Sequence, residues 1–149
     1  MRKFMETCIV EGNISVKAVL LGKKRKVHKI LVDAKKKDKD TAFILHKAKE
    51  AQVDITYMKR EEIDALATGK THGGIIAYCG QRKYQNLEEL VNKKQVFLAL
   101  VEGVEDPFNF GYVLRTLYAA GCDGVLVPLR NWTTAADVVT RASAGASEY

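Results

Sequence analysis

Two short apolar runs separated by one helical stretch set the strongest limit on what this chain can fold into. Val96-Phe97-Leu98-Ala99-Leu100-Val101 is almost continuously apolar, the pattern of a strand covered on both faces within a parallel sheet. Gly124-Val125-Leu126-Val127-Pro128 repeats that pattern, and residues 109–120, closed by Gly121, carry helical period between the two. Strand, crossover helix and second strand make a β-α-β unit. Residues 133–141 have the period of a following helix.

The preceding residues alternate in the same way. Cys8-Ile9-Val10-Glu11-Gly12 reads as a short strand ending in a turn, Asn13 as the N-cap of a helix bearing Val16, Val19 and Leu20, and Gly22 as its stop. A strand is expected over 27–33, a helix over 41–51, a strand over 53–58, a short helix over 60–67 and a strand near 73–78. Strand and helix in alternation point to a three-layer α/β unit. Residues 80–95 are polar, with one weak helix near 87–91, and serve as a connector.

Charge divides the chain at the same place. Residues 1–94 hold 21 Lys and Arg against 12 Asp and Glu, whereas residues 95–149 hold three against six. A basic part is joined to a mildly acidic, more apolar one. The densest basic stretch is Lys23, Lys24, Arg25 and Lys26, then Lys35, Lys36, Lys37 and Lys39, placed at the two ends of the strand over 27–33, which itself carries Lys29. Such a cluster suits a polyanion, whose condensed counterions it releases, and suits also a solvated surface, to which most charge runs belong. Three cysteines, Cys8, Cys79 and Cys122, are odd in number and widely spaced, which excludes a disulfide framework or a paired zinc knuckle and fits a reducing, cytoplasmic setting. Each is expected as a buried structural thiol. No apolar run approaches a membrane span, and the charged start, Met1-Arg2-Lys3, lacks a signal-peptide core.

Chemistry is concentrated in residues 102–116. This segment sits where a parallel strand ends and a helix begins, the usual ligand-binding edge of an α/β sheet. Asp106-Pro107 sets a turn, and Asn109 can cap the helix or offer its amide to a ligand. Phe110, Val113, Leu114, Leu117 and Tyr118 form the core-facing stripe. Arg115 has Gly111 and Ala119 one turn to either side, so its guanidinium is reachable and another body can approach the backbone. It suits a phosphate or polarised oxygens, or a structural salt bridge to Glu102 or Asp106. Small residues in series over 140–149 allow close backbone approach, either to a ligand or to a neighbouring helix. Trp132 is expected to anchor a loop against the core. No Gly-x-Gly-x-x-Gly turn follows any strand, which removes a dinucleotide-dependent dehydrogenase.

Asp106-Pro107-x-Asn109-x-Gly111-x-x-x-Arg115-Thr116, then Ala119-Ala120-Gly121-x-x-Gly124-Val125 and Arg141-Ala142-Ser143-Ala144-Gly145-Ala146, resemble the SpoU (TrmH-type) RNA 2′-O-ribose methyltransferases of the SPOUT superfamily. Glu11-Gly12 with Val16-Lys17-Ala18, and Thr71-His72-Gly73-Gly74-Ile75-Ile76-Ala77, resemble the L30e-like substrate-binding domain that precedes the catalytic domain in many members. Gly73 stands where that pattern usually has Gln. The resemblance implies an L30e-like RNA-binding domain over 1–80, a linker over 81–95 and the first β-α-β part of a SPOUT domain over 96–149. It implies methyl transfer from S-adenosylmethionine to a ribose 2′-hydroxyl of ribosomal or transfer RNA, and a homodimer in full-length members.

By the same resemblance, Asn109 and Arg115 are the catalytic residues, and Glu102, Ser143 and Gly145 line the active site. Lys23, Lys24, Arg25, Lys26, Lys35, Lys36 and Lys37 are assigned to RNA on charge and position. Arginine is a poor literal base, so Arg115 is assigned stabilisation of the developing alkoxide or grip on the adjacent phosphate, with Asn109 orienting it. No metal is implied. The family continues past the Ser-x-Gly-Ala segment with two further motifs that build the knot and most of the cofactor pocket, and neither occurs before Tyr149. The chain alone is therefore expected to be inactive in methyl transfer, being a truncated product or relying on a partner. The competing expectation is a non-catalytic L30e-like RNA-binding module.

Overall fold

The computed structural model describes residues 7–130, 132 and 135–149. Four strands form a mixed sheet in the order β1-β4-β2-β3: β1 (Cys8–Glu11), β2 (Val27–Asp33), β3 (Asp54–Met58) and β4 (Ile75–Cys79). β2 and β3 run parallel, while β4 lies antiparallel between β1 and β2. Side-chain alternation along these strands builds two cores. Val10, Ile30, Val32, Ile75 and Ala77 face α1 (Asn13–Gly22) and α2 (Lys39–Glu50), meeting Val16, Val19, Ile44 and Ala48. Leu31 and Ile76 face the other way, against Ile63 of α3 (Arg60–Leu66). The three-layer α/β arrangement follows.

After a one-turn helix, α4 (Leu87–Leu90), comes a parallel two-stranded sheet, β5 (Leu98–Leu100) with β6 (Gly124–Leu126), linked by α5 (Pro107–Ala119). The β-α-β unit is present, but the 96–101 run is not covered on both faces. Leu98 and Ala99 are half-buried and Leu100 is 74% exposed, since β6 is its one neighbouring strand among the described residues. The last helix, α6 (Ala136–Ala142), continues into a 3₁₀ turn (Ala146–Glu148). The expected start of that helix, at Thr133, lies outside the described residues, as does the Met1-Arg2-Lys3 start. α6 and the turn lie against α1 and β1, so the final residues cover the first sheet unit, and Ala136 joins its core.

Two caps differ from expectation. α1 starts from Gly12 (φ 87°), while the Asn13 amide donates to Asp38 Oδ1 at 3.0 Å. The α5 cap is Asp106, whose Oδ1 accepts the Asn109 N–H at 2.8 Å, with Pro107 in the first turn where a missing N–H costs nothing. Gly22 does not supply a left-handed stop either, as Lys23 takes that conformation (φ 56°). A Cβ on Gly22 would sit 1.8 Å from the Glu148 carbonyl oxygen. Glycine is required there because the closing turn rests on the end of α1.

Candidate active site and RNA-binding surface

α5 holds Asn109 and Arg115 at its solvent face. Both are exposed, and Arg115 makes no ion pair or side-chain hydrogen bond among the described residues. The structural salt bridge to Glu102 or Asp106 does not form: Glu102 is itself exposed, and the Asp106 carboxylate is taken by the helix cap. Six residue steps along the helix separate Asn109 from Arg115 by about 9 Å along the axis and about 120° around it, so they leave the helix in different directions.

The opposite side of α5 explains how it is held. Phe110 stacks on Trp132, with centroids 4.6 Å apart and planes 7° from parallel, which makes Trp132 the loop anchor that was expected. A Cβ on Gly111 would approach Ala142 Cβ to 2.5 Å, Val139 O to 2.9 Å and Ser143 N to 3.0 Å. The body that approaches the backbone beside Arg115 is therefore α6. Ser143 is buried, donating to Thr140 O and accepting from Ser147 N–H, both at 3.1 Å. Gly145 (φ 85°) faces α1, where a Cβ would come within 2.7 Å of Ala18 Cβ. The small-residue run thus serves helix contact in this chain, and Ser143 and Gly145 are not brought together with Asn109 or Arg115 around a cavity.

α6 is fixed to the first sheet by a network that no sequence pattern announced. Arg141 Nη2 binds Glu11 Oε2 at 3.0 Å and Asp137 Oδ2 at 2.7 Å, and its Nη1 donates to Thr71 Oγ1 at 3.0 Å. Asp137 Oδ1 accepts the Glu11 N–H at 3.0 Å. The Glu11 side chain, fully buried, also accepts from the Thr68 amide and hydroxyl and the Gly69 amide. Burial works to raise its carboxyl, but these donors and Arg141 outweigh it and hold Glu11 below the ordinary range. Burial pushes Asp137 up. The sole advance signal was Arg141 itself, next to a small-residue run.

The lysine clusters lie in the turns before and after β2, about 20 Å apart along a strand of seven residues, so they form two surfaces and not one. Within them, Arg25 is committed to Glu148 (Nε to Oε2, 3.0 Å) and buried, Lys24 donates to Gln85 Oε1 at 3.2 Å, and Lys36 pairs with Asp38 at 2.7 Å. Arg25 is thereby removed from the exposed set. Lys23, Lys26, Lys35 and Lys37 remain exposed and unpaired among the described residues. Beside the first turn, a cleft of about 260 Å³ separates the two units. Lys24, Arg25, Arg82 and Lys83 form its basic wall, and Leu114 and Tyr118 of α5 belong to its apolar wall. Arg82 and Lys83 belong to a segment that the sequence presented as a plain connector.

Residues 9–85, over half of the chain, match the family described as RNA 2′-O ribose methyltransferase substrate binding. A Staphylococcus aureus protein named as a TrmH-family tRNA/rRNA methyltransferase is 29% identical over 151 residues, covering 97% of this chain and 60% of its own length. The similarly named YacO of Bacillus subtilis is 28% identical, with 84% and 52% covered. Among solved structures, an RNA 2′-O ribose methyltransferase superposes with TM-score 0.74 at 22% identity, covering 99% of this chain and 54% of that one. The SpoU methyltransferase AviRb from Streptomyces viridochromogenes, solved in complex with the cofactor AdoMet, gives 0.71 at 16% identity, with 96% and 53% covered. These likenesses show a shared fold. The chain spans about 60% or less of the length of the relatives it matches.

Proposed function

This chain belongs to the RNA 2′-O ribose methyltransferase substrate-binding family, and on that premise we propose that it serves RNA methylation, its four-stranded sheet unit gripping structured RNA while α5 offers Arg115 and Asn109 to a ribose 2′-hydroxyl. The observation that carries the reading is mechanical. The sheet unit that bears the family match is tied to α5 through α6, by Glu11–Arg141 on one side and the Gly111–Ala142 contact on the other. RNA held on the first unit therefore has a defined position relative to α5.

A ribose hydroxyl must shed its proton as it attacks a methyl carbon, and negative charge grows on its oxygen. A guanidinium is a poor acceptor of that proton but a strong partner for the charge, so Arg115 stabilises the alkoxide or holds the neighbouring phosphate; Asn109, about 120° away around α5, would orient that group only through the bound RNA. The substrate is ribosomal or transfer RNA, and the full-length protein acts as a homodimer. S-adenosylmethionine is the donor in this reading, but Ser143 and Gly145 do not fit a cradle for it: both are closed into helix contacts. No residue of the chain is assigned to the donor. That same disposition favours one second reading, a non-catalytic RNA-binding module.

Incubation of this chain, and of a version extended past Tyr149 to the length of its relatives, with transfer and ribosomal RNA and methyl-labelled S-adenosylmethionine, followed by digestion to nucleosides, tests both, methyl transfer being expected of the longer version. Methylation at the 2′-oxygen that falls about 100-fold in Arg115→Ala, with RNA affinity kept, supports the first reading. Salt-steep RNA binding that Arg115→Ala leaves intact, with no methyl transferred by either protein, supports the second.

A further inference from the structure

Cys8 and Cys79 stand directly opposite one another at one end of the β1–β4 ladder. Opposed residues of an antiparallel pair project to the same face, here the core beneath α1, where Cys8 is 5% exposed and Cys79 is fully buried. Arg25 reaches the same place, its Nη1 lying 3.9 Å from Cys8 Sγ while its Nε binds Glu148. Arg82 Nη1 approaches the same Glu148 carboxylate at 3.6 Å. Two guanidiniums thus share one buried carboxylate, Arg25 from a buried position and Arg82 from a partly exposed one beside the cleft. Of the two arginines it is Arg25 that contacts Cys8, and a thiolate on Cys8 would balance charge at that contact.

We propose that Cys8 is a nucleophilic thiol with Cys79 as its resolving partner, a modification site that small peroxides convert to a Cys8–Cys79 cross-strand disulfide. The proton balance of the site agrees. The Cys8 thiol is lowered to about 7, chiefly by the hydrogen bond from Cys79, with burial opposing, Arg25 assisting and Glu148 opposing, while Cys79 is pushed up by the same hydrogen bond and by burial. In the first step the Cys8 sulfur attacks one peroxide oxygen, the O–O bond breaks, and water leaves with Cys8 as a sulfenic acid. In the second, the Cys79 sulfur attacks the Cys8 sulfur, the S–O bond breaks, and the hydroxyl leaves as a second water with the Cys79 proton. The two sulfurs lose two electrons and the peroxide gains them. Cys8 is the first residue of β1, an edge strand, and Thr7 before it is exposed, so a small peroxide has the shortest way to Cys8 when this end of the strand opens.

The experiment uses the chain carrying Cys122→Ser, so that one thiol pair remains. Hydrogen peroxide should yield a product lighter by two hydrogen atoms, with a tryptic peptide linking Cys8 to Cys79. With Cys79→Ser added, the reaction should stop at one added oxygen on Cys8, trapped by dimedone. With Cys8→Ser added, neither product should form. A folded protein whose two thiols stay reduced, while the same chain in urea oxidises readily, would overturn the proposal. Alkylation rates with iodoacetamide across pH give a check that needs no change at either cysteine. A half-maximal rate near pH 7 agrees, and one at or above about 8.5 rejects the assignment of Cys8 as nucleophile.

Discussion

Arg25 and Glu148 are 123 positions apart in the chain and 3.0 Å apart in space, with side chains 7% and 1% exposed. Their contact joins the turn before β2 to the closing 3₁₀ turn, and Thr140 Oγ1 adds a hydrogen bond to the same carboxylate at 3.2 Å. A buried ion pair adds little net stability over an apolar pair of equal volume, because both ions lose their hydration. Its removal by halves is costly, since the partner stays buried and unpaired.

Glu148→Ala should therefore lower the free energy of unfolding by about 3 to 5 kcal/mol, because Arg25 and Arg82 both lose their carboxylate. Urea denaturation followed by circular dichroism measures it. A loss under about 1 kcal/mol would mean that water reaches the arginines.

Gly22→Ala tests the contact beneath that turn. The added methyl meets the Glu148 carbonyl at 1.8 Å, a backbone atom that cannot swing away. Overpacking of this kind costs about 1 to 3 kcal/mol, and the expected result lies at the upper end. A melting temperature unchanged from the parent would show that the 3₁₀ turn can lift off α1 freely.

The first sheet unit was legible because its strands alternate in hydrophobicity and its helices carry their stripes locally, as in Ile30 and Val32 against Leu31. What stayed hidden was long-range pairing of polar groups. Glu11, Arg82 and Glu148 look like ordinary surface charges in a sequence, and their burial depends on where α6 crosses the sheet. Gly22 was read as a helix stop, since a glycine required by a distant carbonyl and one required by φ leave the same mark. For the same reason Arg25 was grouped with its lysine neighbours although its side chain points the other way. Asn109 and Arg115 were located on the helix correctly, but the disposition of Ser143 depended on its fit against α5 and that of Gly145 on α1, which sequence spacing does not report.

Glu11 gives the acid limb of stability a definite sign. Its folded-state pKa lies below the unfolded value of 4.5, so its contribution is fully present above that value and is lost as pH falls through the lower folded value. Asp137, pushed upward, opposes stability above its unfolded value of 3.8 and recovers as it protonates. Between about pH 5 and pH 3 the parent should lose more stability than Glu11→Gln. Chemical denaturation at several pH values reads this directly, and parallel curves for the two proteins would remove Glu11 from the acid response.

The two lysine surfaces differ in their relation to α5, and RNA binding should report that difference. Lys24 and Arg25, on the turn before β2, share a cleft with Leu114 and Tyr118 of α5, while Lys35 and Lys37 sit about 20 Å away at the other end of the strand. On the proposed reading, an RNA that brings a ribose to α5 passes the first turn, which shares the cleft with Leu114 and Tyr118. Neutralising Lys23 and Lys26 together should reduce the slope of log affinity against log salt by about 1.4 to 1.8, at about 0.7 per phosphate on a single strand and about 0.9 on a B-form duplex. Neutralising Lys35 and Lys37 should change it by less than half as much, because an RNA placed against α5 need not extend to that end. Filter binding at several salt concentrations distinguishes the two pairs. A larger effect at Lys35 and Lys37 would place the RNA at the far end of the sheet, out of reach of Arg115.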